Sequence, residues 1–178
     1  MRIYISSTSE DLLDYRLAVI SALQRSGHTP VCMEHHAASD RAPKEECLKE
    51  VATCDAYVGI FAWRYGFIPP KCETSMTELE YREAIKHKIP TLIFLLDEKV
   101  EWPAEYRESG MGGERIKRFR EELQLSKWMR PFFNPDNLST EVLAAINRLA
   151  AEIKIDEGRQ NGICEQFYMG CRFRFISG

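Results

Sequence analysis

Residues 56–63, AYVGIFAW, form an almost continuous apolar run. A strand with one face in water alternates apolar and polar side chains, whereas a strand covered on both faces does not. The run therefore predicts a central parallel strand, and a loop carrying Gly66, Pro69 and Pro70 follows it.

The flanking segments supply matching units. Residues 2–5 (RIYI) are short and β-rich and lead into Ser6-Ser7-Thr8, all helix-capping residue types. Leu12, Arg16, Val19, Ile20 and Leu23 then fall at i, i+4, i+7, i+8 and i+11, which predicts a helix over about 9–26 closed by Gly27. His28 to Met33 reads as a second strand, and Pro43 suits the first turn of a helix that carries Cys47, Leu48 and Val51 and ends near Asp55. Downstream come a helix at about 76–88 and a strand at 90–96 (PTLIFLL). A loop with Trp102, Pro103 and three glycines precedes a charged amphipathic helix at about 113–124. Trp128 to Phe133 fits a fifth, edge strand. Asn137-Leu138-Ser139-Thr140 opens a last helix to about 154, with Leu143, Ile146, Leu149, Ala150 and Ile153 on one face.

Short strand–helix units in alternation imply parallel strands joined by right-handed crossovers. The expected fold is a flavodoxin-like, three-layer α/β sandwich with a five-stranded parallel sheet in the order 2-1-3-4-5. A Rossmann dinucleotide domain is disfavoured, since no GxGxxG follows the first strand. Residues 1–154 make one α/β domain, and residues 155–178, which lack helical or alternating periodicity, are expected to form an irregular tail.

Of 178 residues, 44% are hydrophobic and 29% charged, ordinary for a globular protein, and the net charge of −3 gives no global attraction to nucleic acid or anionic membrane. No apolar run approaches the roughly 18–20 residues of a spanning helix, so no membrane segment is expected. Six cysteines without a CxxC pair suggest reduced thiols and a cytoplasmic setting. Cys32-x-x-His35-His36 has the look of half a zinc site, but no second ligand pair accompanies it, so no metal is expected.

In open α/β sheets ligands bind beyond the carboxyl ends of the strands, where strand order reverses, here between strands one and three. Ser6, Ser7 and Thr8 would line that crevice from one side and Trp63, Arg64, Tyr65 and Gly66 from the other, with the first turns of the third helix beside them. The hydroxyls either cap the first helix, with Glu10 or Asp11 completing a capping box, or meet an anion or ribose hydroxyls. Arg64 is a cation at the mouth, and Trp63 and Tyr65 offer flat faces to a base or simply pack the loop. Two glutamates open the third helix. Ser75-x-x-Glu78 reads as a capping box, which gives Glu78 a structural role. Glu80 has none. It lies near Thr77 and at the edge of the stripe formed by Tyr81, Ala84 and Ile85, facing the crevice edge.

RIYISSTSEDLLDYR (2–16), CDAYVGIFAWRYG (54–66) and SMTELEYREAIKHKIPTLIF (75–94) resemble the three signature stretches of a TIR-like domain family of unknown function. That family often supplies the N-terminal module of STAND-type NTPases and repeat proteins. More distantly, the third stretch is similar to TIR-domain NAD-cleaving enzymes and nucleoside 2-deoxyribosyltransferases. In both, a catalytic glutamate is followed by a small residue four positions later and a Gly-Lys pair eight and nine later. Glu80 fits this frame through Ala84, with Lys88-Ile89 in place of Gly-Lys, and Glu78 does not fit it. The resemblance implies attack at an N-glycosidic carbon, as in NAD, with Glu80 stabilising an oxocarbenium-like transition state or holding ribose hydroxyls. Ser6, Ser7 and Arg64 would hold phosphate or ribose, Tyr65 or Trp63 would stack on the base, and Ser75 and Thr77 would border the site. NAD would then be a substrate and no cofactor is required. Alternatives are a nucleotide-sensing or protein-interaction module that self-associates or serves a STAND-type partner domain, and a deoxyribosyltransferase-like enzyme. The helix segment RIKRFREELQ (115–124) is either a contact surface or a solvated face.

Overall fold

The computed structural model describes residues 1–32, 44–126 and 128–172, with side chains described as far as residue 155. Met33, His35, His36 and Pro43, and with them the half zinc site, lie outside the described residues.

Five parallel strands, β1 (Arg2–Ser7), β2 (Thr29–Val31), β3 (Ala56–Phe61), β4 (Thr91–Leu96) and β5 (Met129–Phe132), form one sheet in the order β2-β1-β3-β4-β5. The connecting helices are α1 (Leu13–Arg25), α2 (Lys44–Ala52), α3 (Met76–Lys86) and α4 (Gly110–Gln124), and α5 (Pro135–Arg172) follows β5. This is the flavodoxin-like arrangement expected from the strand–helix alternation. All six residues of β3 are buried, as an apolar run at the centre of a parallel sheet requires.

Register decides what meets what. Tyr4 pairs with Tyr57 and Ser6 with Gly59 across β1 and β3. Alternation puts these four side-chain positions and Phe61 on one face, under α3 and α4. Tyr4 stacks on Tyr57 with ring centroids 6.2 Å apart, Tyr57 meets Tyr81 of α3, and Phe119 of α4 closes on Tyr81 and Phe61. Gly59 makes this possible: a Cβ there would come within 2.6 Å of the Phe61 ring and 2.9 Å of the Tyr57 ring. Ser7 points to the opposite face, where Arg16 of α1 reaches it.

Three boundaries differ from expectation for physical reasons. Ser6 and Ser7 belong to β1, and α1 begins only at Leu13, with no side-chain cap at Leu12. Neither serine caps it; Thr8 Oγ1 instead donates to Asp11 Oδ1 at 2.5 Å. α4 begins at Gly110, three residues early, because Gly112 and Gly113 leave room for Glu108, which a Cβ at either position would strike. α5 continues through Arg172, into the segment expected to be irregular. The chain divides into two compact units, Met1–Leu143 and Ala144–Gly178. Among the described residues no helix is long and apolar enough to cross a membrane.

α1 and α3 end in the same way. After α1, Gly27 (φ 77°) donates to Gln24 O and His28 to Leu23 O; after α3, Lys88 (φ 57°) donates to Ile85 O and Ile89 to Ala84 O. Both are Schellman closures, which need a left-handed residue just past the helix. Gly27 adopts that conformation without strain, whereas Lys88 carries a Cβ that opposes it. Replacing Lys88 by glycine is expected to stabilise the fold by roughly 0.5–1 kcal/mol, the left-handed penalty less the chain entropy glycine restores, read as a higher denaturation midpoint at constant m.

Candidate functional site

A pocket of about 280 Å³ opens at the carboxyl ends of β1 and β3, where strand order reverses. Ser7, Thr8, Ser9 and Glu10 line it from the loop after β1, and Arg16 from α1. Arg64, Gly66 and Phe67 line it from the loop after β3, and Met76, Thr77 and Glu80 from the start of α3.

Glu80 is at its floor, only 2% exposed. It sits within the buried face of α3 with Met76, Thr77, Tyr81 and Ala84, deeper than the stripe edge expected for it, while Ile85 is 48% exposed. Two hydroxyls from β1 hold its carboxylate: Tyr4 donates to Oε1 at 2.9 Å and Ser6 to Oε2 at 2.5 Å. Burial pushes its pKa up to about 7, despite the two hydroxyl donors and the nearby charge of Arg16, which pull the other way. Next to this group the Tyr57 hydroxyl is fully enclosed and finds no hydrogen-bond partner of good geometry among the described residues, although Ser6 is close.

Ser75 accounts for the placement of α3. Fully buried, it accepts from the Glu78 amide at 3.4 Å as the N-cap. The reciprocal half of the expected capping box is not formed: Glu78 takes the Tyr65 hydroxyl at 2.7 Å and Arg82 at 2.9 Å instead. Ser75 and Ser6 thus support the pocket without lining it, whereas Thr77, 3.2 Å from the Ser75 hydroxyl, lines it.

The aromatic side chains expected at the mouth face elsewhere. Trp63 lies between two guanidinium groups, Arg120 at 4.0 Å and Arg107 at 5.0 Å from its ring centroid. Tyr65 is buried, with its hydroxyl on Glu78 and Arg115 over its ring. Neither lines the pocket, so neither is placed to stack on a base; Phe67 and Met76 provide its apolar surface. Arg120 drives the rearrangement. It is 3% exposed and donates to the carbonyls of Phe61, Ala62 and Leu96, at the ends of β3 and β4, and burial lowers its pKa to about 10. A residue of the charged α4 segment is therefore a core cation, flanked by buried Ile116, Phe119 and Leu123. Glu108 completes the loop, taking the Tyr65 amide at 2.6 Å and donating its own amide to Trp63 O at 3.0 Å.

Gly66 (φ 88°) lets this loop approach the first one: a Cβ would lie 2.9 Å from Thr8 Cγ2. Arg64 reaches across the pocket to Glu10 at 2.5 Å. Ser7 is held by Arg16, whose Nε donates to its hydroxyl at 2.9 Å and Nη2 to its carbonyl at 2.6 Å. The contributions of Tyr4, Arg16, Phe67 and Met76 were not anticipated. The sequence signal for Arg16 was a charged residue in the apolar stripe of α1, and for Tyr4 its position two residues before Ser6 on one strand face. Among the described residues no three His, Cys, Asp or Glu side chains cluster as a metal site.

An open parallel α/β sheet in this strand order, with a carboxylate-floored pocket at its switch point, defines a domain of the flavodoxin-like class. Residues 2–147 match the family described as a domain of unknown function (DUF4062), and the chain belongs to that family. No curated protein sequence matches the chain. Among solved structures, the RPS4 and RRS1 TIR domain heterodimer is similar with a TM-score of 0.50 at 11% identity, over 83% of this chain and 97% of that one. The Clostridium botulinum CMP N-glycosidase BcmB gives 0.45 at 10% identity, over 83% of this chain and 99% of that one. A prokaryotic SEFIR domain gives 0.39 at 15% identity, over 69% of this chain and 95% of that one. The likeness to the TIR domains is one of fold.

The raised pKa of Glu80 has a consequence for stability. Between its ordinary value of 4.5 and about 7 the native chain keeps a proton that the unfolded chain has lost, so this group's contribution falls as pH rises through that window. The loss is on the order of 3 kcal/mol when complete. Glu80→Gln, which cannot ionise, is expected to gain stability over the wild type progressively from pH 4.5 to 7.5, measured by denaturant unfolding at each pH.

Proposed function

We propose that this domain cleaves the N-glycosidic bond of a nucleotide, with the nicotinamide–ribose bond of NAD as the first candidate. The observation that carries the reading is the Glu80 carboxylate, buried on two hydroxyls at the floor of a pocket at the switch point. In such a reaction the base leaves with the bonding electron pair, water adds its oxygen to C1′, and a proton is released. Positive charge builds on the ribose, and an ionised Glu80, itself only 2% exposed at the floor, stabilises it. Phe67 and Met76 offer apolar contact for the base, and Arg64 a cation for phosphate. The pocket is just below the usual size range of small-ligand sites, about 300–1,000 Å³, and suits one nucleoside half of a dinucleotide. The frame from Glu80 to Ala84, shared with TIR-domain NAD-cleaving enzymes, supports the same assignment.

One observation favours a second reading. Both Glu80 oxygens already hold protein hydroxyls, and Leu13 and Leu17, one turn apart on α1, are 47% and 50% exposed. A module that binds a nucleotide without cutting it, and self-associates or serves a STAND-type partner domain, would also retain these features. The TIR domains of RPS4 and RRS1 form a heterodimer, an assembly consistent with that reading.

The two readings separate on nicotinamide release from NAD at high protein concentration. The enzyme reading expects release by the wild type and a loss of at least about 100-fold in Glu80→Gln. Because Glu80 must be ionised, the wild-type rate is expected to rise with pH through about 7. No release from a demonstrably oligomeric sample favours the binding module.

A further inference from the structure

We infer that the Glu10–Arg64 ion pair is a phosphate gate: a nucleoside 5′-phosphate group entering the pocket replaces the Glu10 carboxylate on Arg64. This rests on the nucleotide reading of the pocket and adds what the pocket selects.

Both residues line the pocket, from the loops that follow β1 and β3, and their side chains meet at 2.5 Å. Glu10 is 69% exposed and Arg64 27%, so the pair is wet on the acidic side and drier on the basic one. An exposed pair contributes little to stability, and exchanging its carboxylate for another anion costs correspondingly little. The incoming group must match a carboxylate in offering an anionic oxygen to the guanidinium, as Glu10 Oε2 does to Arg64 Nη1, and exceed it in charge. Phosphate does both. The other cation at the pocket is engaged elsewhere, since Arg16 commits Nε and Nη2 to Ser7 and lends its field to Glu80. Gly66 holds the two loops close enough for the pair to form, since any side chain there would press on Thr8. Without ligand, Glu10 keeps Arg64 compensated. With ligand, Glu10 turns to solvent, and the pocket prefers the phosphorylated form over the bare nucleoside.

The test is calorimetric titration of the full chain with nicotinamide mononucleotide and with nicotinamide riboside, all variants carrying Glu80→Gln so that turnover does not obscure heats. The mononucleotide is expected to bind about tenfold more tightly than the riboside, as one charge-assisted contact allows. Arg64→Met should bring the two affinities together, and Glu10→Gln should tighten mononucleotide binding by about threefold or more while leaving the riboside unchanged. Inorganic phosphate, added as a competitor, should weaken binding of the mononucleotide and not of the riboside. Equal affinities, a preference that survives Arg64→Met, Glu10→Gln weakening the mononucleotide, or no binding of either ligand would overturn the gate. Phosphate preference without nicotinamide release by the wild type would sustain the gate and sink the cleavage reading. Release at equal rates from both substrates, insensitive to Arg64→Met, would do the reverse.

Discussion

A carboxylate only 2% exposed, held by two hydroxyls from a neighbouring strand, is the constraint around which the rest of this site is built. An ionised Glu80 at 2% exposure is unfavourable unless its lone pairs are satisfied, and Tyr4 and Ser6 satisfy one oxygen each. For those hydroxyls to arrive together they must share a strand face, which residues 4 and 6 do. β1 must also lie next to β3 in a register that puts glycine beside Ser6, which leaves the space above Gly59 to the Tyr57 and Phe61 rings. Finally α3 must start where Ser75 caps it, so that its second turn delivers position 80 over β1. An apolar residue at position 80 would leave the buried Tyr4 and Ser6 hydroxyls without this partner. Burial raises the Glu80 pKa to about 7, so the carboxyl contributes less to stability at neutral pH than in acid.

The second half of the site depends on a different buried charge. Arg120 is paired with carbonyls, not with a carboxylate, and those carbonyls are the ones left over where β3 and β4 end. It gathers them, Trp63 lies against its guanidinium, and Arg64 is the residue of this loop's start that lines the pocket. Glu108 fixes the next step by taking the Tyr65 amide. The mouth of the pocket is therefore shaped from α4 and the loop before it, elements that contribute no lining residue.

These two charges also explain how far the sequence could be read. The strand order and the place of the pocket followed from one continuous apolar run and the alternation around it, because burial on two faces leaves a mark in composition. Helical spacing put Glu80 at the edge of an apolar stripe, whereas it sits inside the buried face of α3. The orientation of Trp63 and Tyr65 did not, since it depends on Arg120, more than fifty residues away in sequence, and a charged helix segment gives no sign that one of its arginines points inward. Ser6 and Ser7 looked like caps because a polar strand end and a helix start share residue types, and only the partner at position 80 distinguishes them. Lys88 hid a left-handed closure behind a residue that does not advertise one. The length of α5 was missed because Gly158 and Gly162 break the periodicity used to find helices, without ending this one.

The two arginines at the pocket cannot exchange roles, and this limits the chemistry available. Arg16 helps keep Glu80 ionised; a phosphate drawn onto Arg16 would cancel that field and favour the protonated acid, the form unable to stabilise a ribosyl cation. Arg64 stands on the other loop with an acidic partner of its own, so its charge can be handed to a ligand with no exchange of charge at Arg16. On the proposed phosphate gate, having Arg64 and Arg16 on different elements would let substrate charge enter without disarming the floor. On the same proposal Glu10 would hold Arg64 neutralised while the pocket is empty, and Arg16 would remain the cation that sets the field at Glu80 in both states.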